Sequence, residues 1–306
     1  MENIVFYIDG GIGKVIMGSV VIRNIKKKYP DKNIVVLSGY PWIFDTNPNV
    51  YRSMLYGYET KYIFDDYIKN GKGIAFKNEP YLDDEYILGK KHLTQAWCEL
   101  FSLPFDNPKP DLFLTDAEIE VTGEWAEDAR KKNKKDIMLI QTKGGAVPQQ
   151  PNQPVPKMYV RDLPKKVAQT IVDEYKDDYL ILNVGGQWRE LKGAQPVIAE
   201  SLREIMCLIM FADKMLFIDS FMQHATGALG KQAVVVWGGT SPVCLGYENN
   251  INLVPLKPCP EPFCHRPNSY IFDKRICPYG EICMRYEAKY IIEEINKNRK
   301  DNKEIQ

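Results

Sequence analysis

The sequence predicts an α/β protein built from two parallel sheets in tandem, each wound with helices. Three observations predict it. The chain opens on a strand, a glycine turn, a helix and a second strand. Another strand–loop–helix series begins near its middle, and a polar, charge-dense stretch, 131–136 (KKNKKD), separates the two series. A length of 306 residues is enough for two ordinary domains. They are expected as 1–133 and 134–306.

Each element has its own signal. Asn3–Asp9 (NIVFYID) is an apolar run of strand length, followed by the glycine turn Gly10–Gly13. Val15–Tyr29 carries apolar residues at helical spacing. It ends in Lys26, Lys27 and Lys28, which suit the negative end of a helix dipole, and Pro30 stops it. Asn33–Ser38 is the next strand, so the opening is a βαβ unit whose right-handed crossover makes the sheet parallel. Weaker strands are expected at Lys61–Phe64 and Gly73–Phe76, and a helix over Asp84–Leu103. The second half reads as strands Ile137–Gln141, Tyr179–Asn183, Met215–Asp219 and Ala233–Trp237. Helices are expected near Asp162–Lys176, at Ser201–Ala212, after Phe221 and over Tyr286–Asn298.

Composition excludes several classes. Forty basic residues balance forty acidic ones, so the basic footprint of a generic nucleic-acid binder is missing. No apolar run reaches the roughly 18–20 residues that span a bilayer. The N-terminal MENIVFYIDGGIG has no basic segment ahead of its apolar run and reads as a strand, not a leader. Seven cysteines in such a chain imply a reducing compartment and a cytoplasmic location.

The first loop, IDGGIGKV, joins a strand end to a helix start. Free N–H groups and the helix dipole make such a junction an anion site, with Gly11 and Gly13 near the ligand; a plain tight turn needs the same residues. The phosphate-loop pattern fails because Ile8 stands at its first glycine and Val15 follows Lys14. The dinucleotide fingerprint fails because Ile16 stands at its third glycine. Near the other end, Cys259, Cys264, Cys277 and Cys283 gather four thiols within 25 residues. Four thiolates can hold a tetrahedral zinc or iron ion and so staple a loop with little core of its own, with His265 as a substitute ligand. Reduced free thiols and disulfides are the alternatives.

The segments GGIGKVIMGSVVIRNIKKKYPDKNIVVLSG, NPNV and LREIMCLIMFADKMLFIDSFMQHATGALGKQAVVVWGGTSP resemble glycosyltransferase family nine, the ADP-heptose:lipopolysaccharide heptosyltransferases. The resemblance implies a GT-B fold: two Rossmann-like domains facing across a cleft. The first would bind the acceptor and the second a nucleotide-diphosphate sugar, for an inverting transfer that needs no catalytic metal. Asp219, Ser220 and His224 stand in the family's Asp-Ser/Thr-Gly-x-x-His, which contacts the donor; Phe221 replaces its glycine. Asp219 as a helix cap and His224 as a core histidine are the plainer readings. Lys157, in KMYVRDL, matches the lysine of the family's Lys-x-Trp-Pro; a solvated surface lysine reads the same way. Thr142 follows the first strand of the second half, where phosphates bind, and Glu190 stands at the family's spacing for a ribose contact. Thr240 follows Gly239 in the family's Gly-x-Thr-x-Pro.

One departure bears on catalysis. The family's base is an aspartate after the loop glycine, where this chain has Lys14. Asp9 is then the nearest carboxylate for the base, or it caps the turn, and Lys14 offers a cation to an anionic acceptor or a donor phosphate. The acceptor implied is a bacterial surface saccharide; a hydroxylated DNA base or a protein, as for virus-encoded transferases, is the alternative. A catalytically inactive nucleotide-sugar-binding protein and a nucleotide-sugar epimerase are the other readings. A subgroup of the family carries a four-cysteine iron site.

Overall fold

The computed structural model describes residues 1–57, 60–144, 160–257, 259–264 and 277–297. The chain divides into two compact units, Met1–Thr115 and Asp116–Gln306.

The first unit is a four-stranded parallel sheet in the order β3-β2-β1-β4. Its strands are β1 (Asn3–Ile8), β2 (Asn33–Ser38), β3 (Arg52–Leu55) and β4 (Gly73–Phe76). β1 is central, with Asn3 in register with Asn33 on one side and with Gly73 on the other. Its Ile4, Val5 and Phe6 are fully buried, the continuous apolar run of a strand covered on both faces. Helix Ile12–Lys28 makes the crossover to β2 and buries Val15, Ile16 and Val20. Trp97, from helix Leu93–Leu100, packs on Phe6 with ring centroids 5.3 Å apart.

Two expectations are corrected here. The stretch expected as a strand at Lys61–Phe64 is helical, Thr60–Ile63 running into Phe64–Ile68, because Ile63 alone is buried there and joins Val5, Val35 and Leu37 in one cluster. The helix expected over Asp84–Leu103 is two, Asp84–Ile87 and Leu93–Leu100, parted at Gly89 with φ +73°.

The second unit is a six-stranded parallel sheet in the order β10-β9-β8-β5-β6-β7. Its strands are β5 (Asp136–Gln141), β6 (Tyr179–Asn183), β7 (Ala194–Pro196), β8 (Lys214–Ile218), β9 (Val234–Val236) and β10 (Ile251–Leu253). The chain winds outward from β5 to β7, returns to pair β8 with β5, and winds outward the other way to β10. The winding therefore reverses between β5 and β8, the switch point at whose carboxyl ends open α/β sheets form a crevice.

Helix Asp116–Asn133 was not anticipated, and the charge-dense stretch holds its last turn. Arg203 donates to Glu118 at 2.7 Å, tying this helix to Leu202–Cys207. The compact units accordingly divide at its start, while the expected boundary lies at its end. Helix Ala288–Lys297 docks through Tyr175, whose hydroxyl donates to Asn296 Oδ1 at 2.9 Å. Among the described residues, no helix is long and apolar enough to cross a membrane.

Candidate functional site

In the first unit, Gly10 adopts φ +89°, a left-handed turn that costs glycine least. The chain thereby leaves β1 and starts its helix at Ile12, so Gly13 lies within the first helical turn and not in the loop. Gly11 is the N-cap, and no side chain caps the first N–H groups. Lys14 points inward, with 5% of its side chain exposed. Its ammonium lies 2.6 Å from Asp9 Oδ1 and 2.6 Å from Glu79 Oε2, and over the rings of Tyr81 and Trp97 at 5.2 and 5.5 Å. A buried ammonium needs such partners to offset its lost hydration. Here both anionic partners come from the chain itself, and the cluster keeps one excess negative charge. Asp9 remains 68% exposed. Glu79 belongs to no motif and stands 65 residues from Lys14, so only folding reveals it.

In the second unit, the segment 160–163 bridges two strand ends. Gly239 N–H, after β9, donates to the Val160 carbonyl at 2.6 Å, and Leu163 N–H donates to that of Thr142, after β5, at 3.0 Å. Arg161 is thereby held over the end of β8, where its Nη1 donates to Asp219 Oδ2 at 3.3 Å. Asp219 is 3% exposed. The next residue, Asp162, accepts from Gly144 N–H at 2.8 Å and Lys143 Nζ at 3.2 Å, with Arg189 Nη2 at 3.7 Å. Three cations thus surround two carboxylates. The hydroxyls of Thr142 and Thr240 are buried there without a hydrogen-bond partner among the described residues, as is Arg161 Nε. Such groups carry a desolvation cost that a ligand can relieve.

The other expected residues are distributed as follows. Ser220, not Asp219, is the N-cap of helix Phe221–Leu229, and its hydroxyl makes no capping bond. His224 is buried on that helix with Nδ1 2.7 Å from the Tyr247 hydroxyl. Burial pulls its pKa down to about 4 and raises that of Tyr247 well above its usual value, so a neutral imidazole shares a hydrogen bond with a neutral phenol. Glu190 is exposed, while its neighbour Arg189 turns inward and donates to the Thr142 carbonyl at 2.9 Å. Lys157 lies outside the described residues. Arg161 and Asp162 sit in the KMYVRDL segment already singled out for Lys157.

Cys264 and Cys283 are buried, and the partly buried Cys259 and Cys277 pack in the same apolar cluster. None forms a disulfide. Glu281 N–H donates to Cys277 Sγ at 3.2 Å. Burial pushes the Cys264 thiol up to about 11 and the Cys283 thiol up to about 12, with neighbouring thiols adding to both. Among the described residues, no three His, Cys, Asp or Glu side chains are arranged to hold a metal ion; His265 lies outside them. Four cysteines are nevertheless a donor set that zinc or iron takes. A Cβ on Gly238 would come 2.1 Å from Met284 Sδ and 2.4 Å from the Val160 carbonyl, so the cysteine segment is wedged against the strand end that borders the crevice.

No protein-family model matches the sequence, and no curated protein matches it in sequence. Solved structures do match in fold. The chain is similar to Escherichia coli ADP-heptose lipopolysaccharide heptosyltransferase II, at 13% identity and TM-score 0.67 over 97% of this chain and 98% of that one. A glycosyltransferase family 9 protein of Veillonella parvula gives 13% identity and TM-score 0.64 over 97% of each chain. The iron-containing dodecameric heptosyltransferase TibC, solved with ADP-D-β-D-heptose, gives 10% identity and TM-score 0.64 over 97% of this chain and 76% of that one. The chain therefore has the two-sheet GT-B fold of the family 9 glycosyltransferases, as its motifs imply.

Proposed function

We propose that this chain is an inverting glycosyltransferase that moves a heptose-like sugar or another hexose from a nucleotide-diphosphate donor to a saccharide hydroxyl. The observation that carries this reading is the crevice of the second unit. Buried Thr142 and Thr240 hydroxyls without partners lie beside the Arg161–Asp219 pair, with Lys143 close by. A diphosphate supplies the acceptor oxygens these donors lack, and sugar hydroxyls donate to Asp219. Fold neighbours named as ADP-heptose transferases support the donor class.

In this reading the second unit holds the donor. Thr142, Thr240, Lys157, Ser220 and Arg161 meet the diphosphate, Asp219 the sugar and Glu190 the ribose. His224 fixes the helix behind Asp219 through Tyr247. The first unit holds the acceptor at the loop bearing Gly11 and Gly13. The acceptor oxygen attacks the anomeric carbon, the bond to the diphosphate breaks with its electron pair going to the nucleotide, and Asp9 takes the hydroxyl proton. Lys14 and Glu79 orient Asp9. Negative charge growing on the leaving diphosphate meets Arg161, Lys143 and Lys157, so the chemistry needs no catalytic metal.

Cys259, Cys264, Cys277 and Cys283 would hold a structural zinc or iron ion, which supplies a rigid tetrahedral staple for the segment behind Gly238. The iron-containing neighbour supports this. Thiols kept reduced for such a site fit the cytoplasm. Metal analysis of the purified protein is expected to find one ion per chain.

The direct test is a thermal-shift screen of nucleotide-diphosphate sugars. The donor is expected to stabilise the protein by about 2.7 kcal/mol at a hundredfold excess over its Kd. Transfer, followed as nucleotide release with acceptor present, should be lost in Asp219→Ala and Lys157→Ala. Its survival in both would sink the assignment.

A further inference from the structure

We infer that Arg161 is a positioning residue that exchanges partners: it leaves Asp219 for the diphosphate of an incoming donor and thereby releases that carboxylate for the sugar. This rests on the donor reading of the crevice. Four observations lead to it.

First, the backbone of Arg161 is fixed and its head is not. Val160 and Leu163 are hydrogen-bonded to the loops after β9 and β5, whereas the guanidinium makes, among the described residues, one hydrogen bond, of 3.3 Å to Asp219. A paired fork of two short bonds would hold it far more firmly. Secondly, its Nε is buried with no hydrogen-bond partner among the described residues, so the head has donor capacity that Asp219 does not use. Thirdly, the neighbouring carboxylate does not compete for it. Asp162 is engaged by Gly144 N–H, Lys143 and Arg189. Fourthly, the sheet order β9-β8-β5 puts Thr240 and Thr142 on either side of Asp219. An anion that accepts from both hydroxyls must lie over the end of β8, within reach of Arg161.

The exchange has a chemical logic. Asp219 is 3% exposed, and an ionised carboxylate at that depth is costly without a cation. A diphosphate carries more charge than one carboxylate, and the guanidinium fork matches its oxygens as readily. Once it holds Arg161, Asp219 needs new donors, and sugar hydroxyls supply them. Sugar recognition is thereby made conditional on the diphosphate, and a free sugar finds its carboxylate already taken.

Calorimetry on the full chain tests this with ADP, UDP and inorganic pyrophosphate. Arg161→Gln is expected to weaken whichever probes bind by about tenfold to a hundredfold. Arg161→Lys should restore part of the loss. Asp219→Asn should tighten pyrophosphate binding several-fold, because Arg161 no longer has to leave a partner. That gain should shrink in the Arg161→Gln background. Unchanged affinity in Arg161→Gln, or an equal gain from Asp219→Asn in both backgrounds, would overturn the exchange; the latter would mean that Asp219 acts by repulsion alone. If Arg161→Gln does not fold, the Asp219→Asn gain measured in Arg161→Lys against wild type decides in its place. If no probe binds the wild type, the donor reading itself fails, and the exchange with it.

Discussion

The central strand ends of the two sheets carry opposite net charge. After β1 a buried cation, Lys14, is saturated by two carboxylates. After β5 and β8, two carboxylates sit among three cations, with two hydroxyls left unpaired. Both are strand-to-helix junctions of parallel sheets, so the architecture does not decide which one takes an anion. The side chains decide. A cation whose charge is already neutralised internally offers a phosphate little, whereas unpaired buried donors gain a full hydrogen bond from it. This contrast is why the proposed reading puts the diphosphate in the second unit and a hydroxyl-bearing, uncharged acceptor in the first.

The sharpest way to break this contrast is Asp9→Asn. It should lower the transfer rate by about 10²–10⁴ while nucleotide affinity stays unchanged, measured by kinetics and calorimetry on the same preparation. A parallel loss of nucleotide affinity would mean that the two loops do not divide the work as described.

A middle-sized effect comes from acid. The unfolded state protonates His224 from about pH 6.5 downward, but the folded state resists until about pH 4. Stability from this group is thus complete above 6.5 and falls by about 3 kcal/mol as pH drops to 4. Urea unfolding should show the second unit weakening over that window and His224→Gln flattening the dependence. The same slope in both proteins would remove His224 as its source.

The smallest effect concerns Lys14. Its partners are 68% and 38% exposed, so solvent screens much of the pairing, and Lys14→Met should cost about 1 kcal/mol in the first unit. Nucleotide binding should not move; a drop would show that Lys14 serves the donor after all.

The legible parts of the sequence were those where one local signal dominates. β2, β4 and β6 match their expected spans because short apolar runs bounded by turns admit little else. The edge strands β3, β7 and β10, of three or four residues, carry too few apolar positions to register. Helix Asp116–Asn133 read as a linker because it buries only Thr122 and Ala126, leaving its periodicity buried in charge. Thr142, Thr240 and Asp219 are candidates that the sequence marks by their strand ends, and the structure places them after β5, β9 and β8. Glu79, Arg161 and Tyr247 were not legible, since each acquires its role from a partner distant in the chain. Ion pairing across such distances leaves no periodic trace.

The Tyr286 hydroxyl donates to the carbonyls of both Trp237 and Leu253, at 2.6 and 2.8 Å. One phenol thus closes off two adjacent strands at the rim where Gly238 and Thr240 stand. Trimming the chain ahead of residue 286 would therefore do more than remove helix Ala288–Lys297: it would bare two peptide oxygens and loosen the rim that carries Gly238 and Thr240.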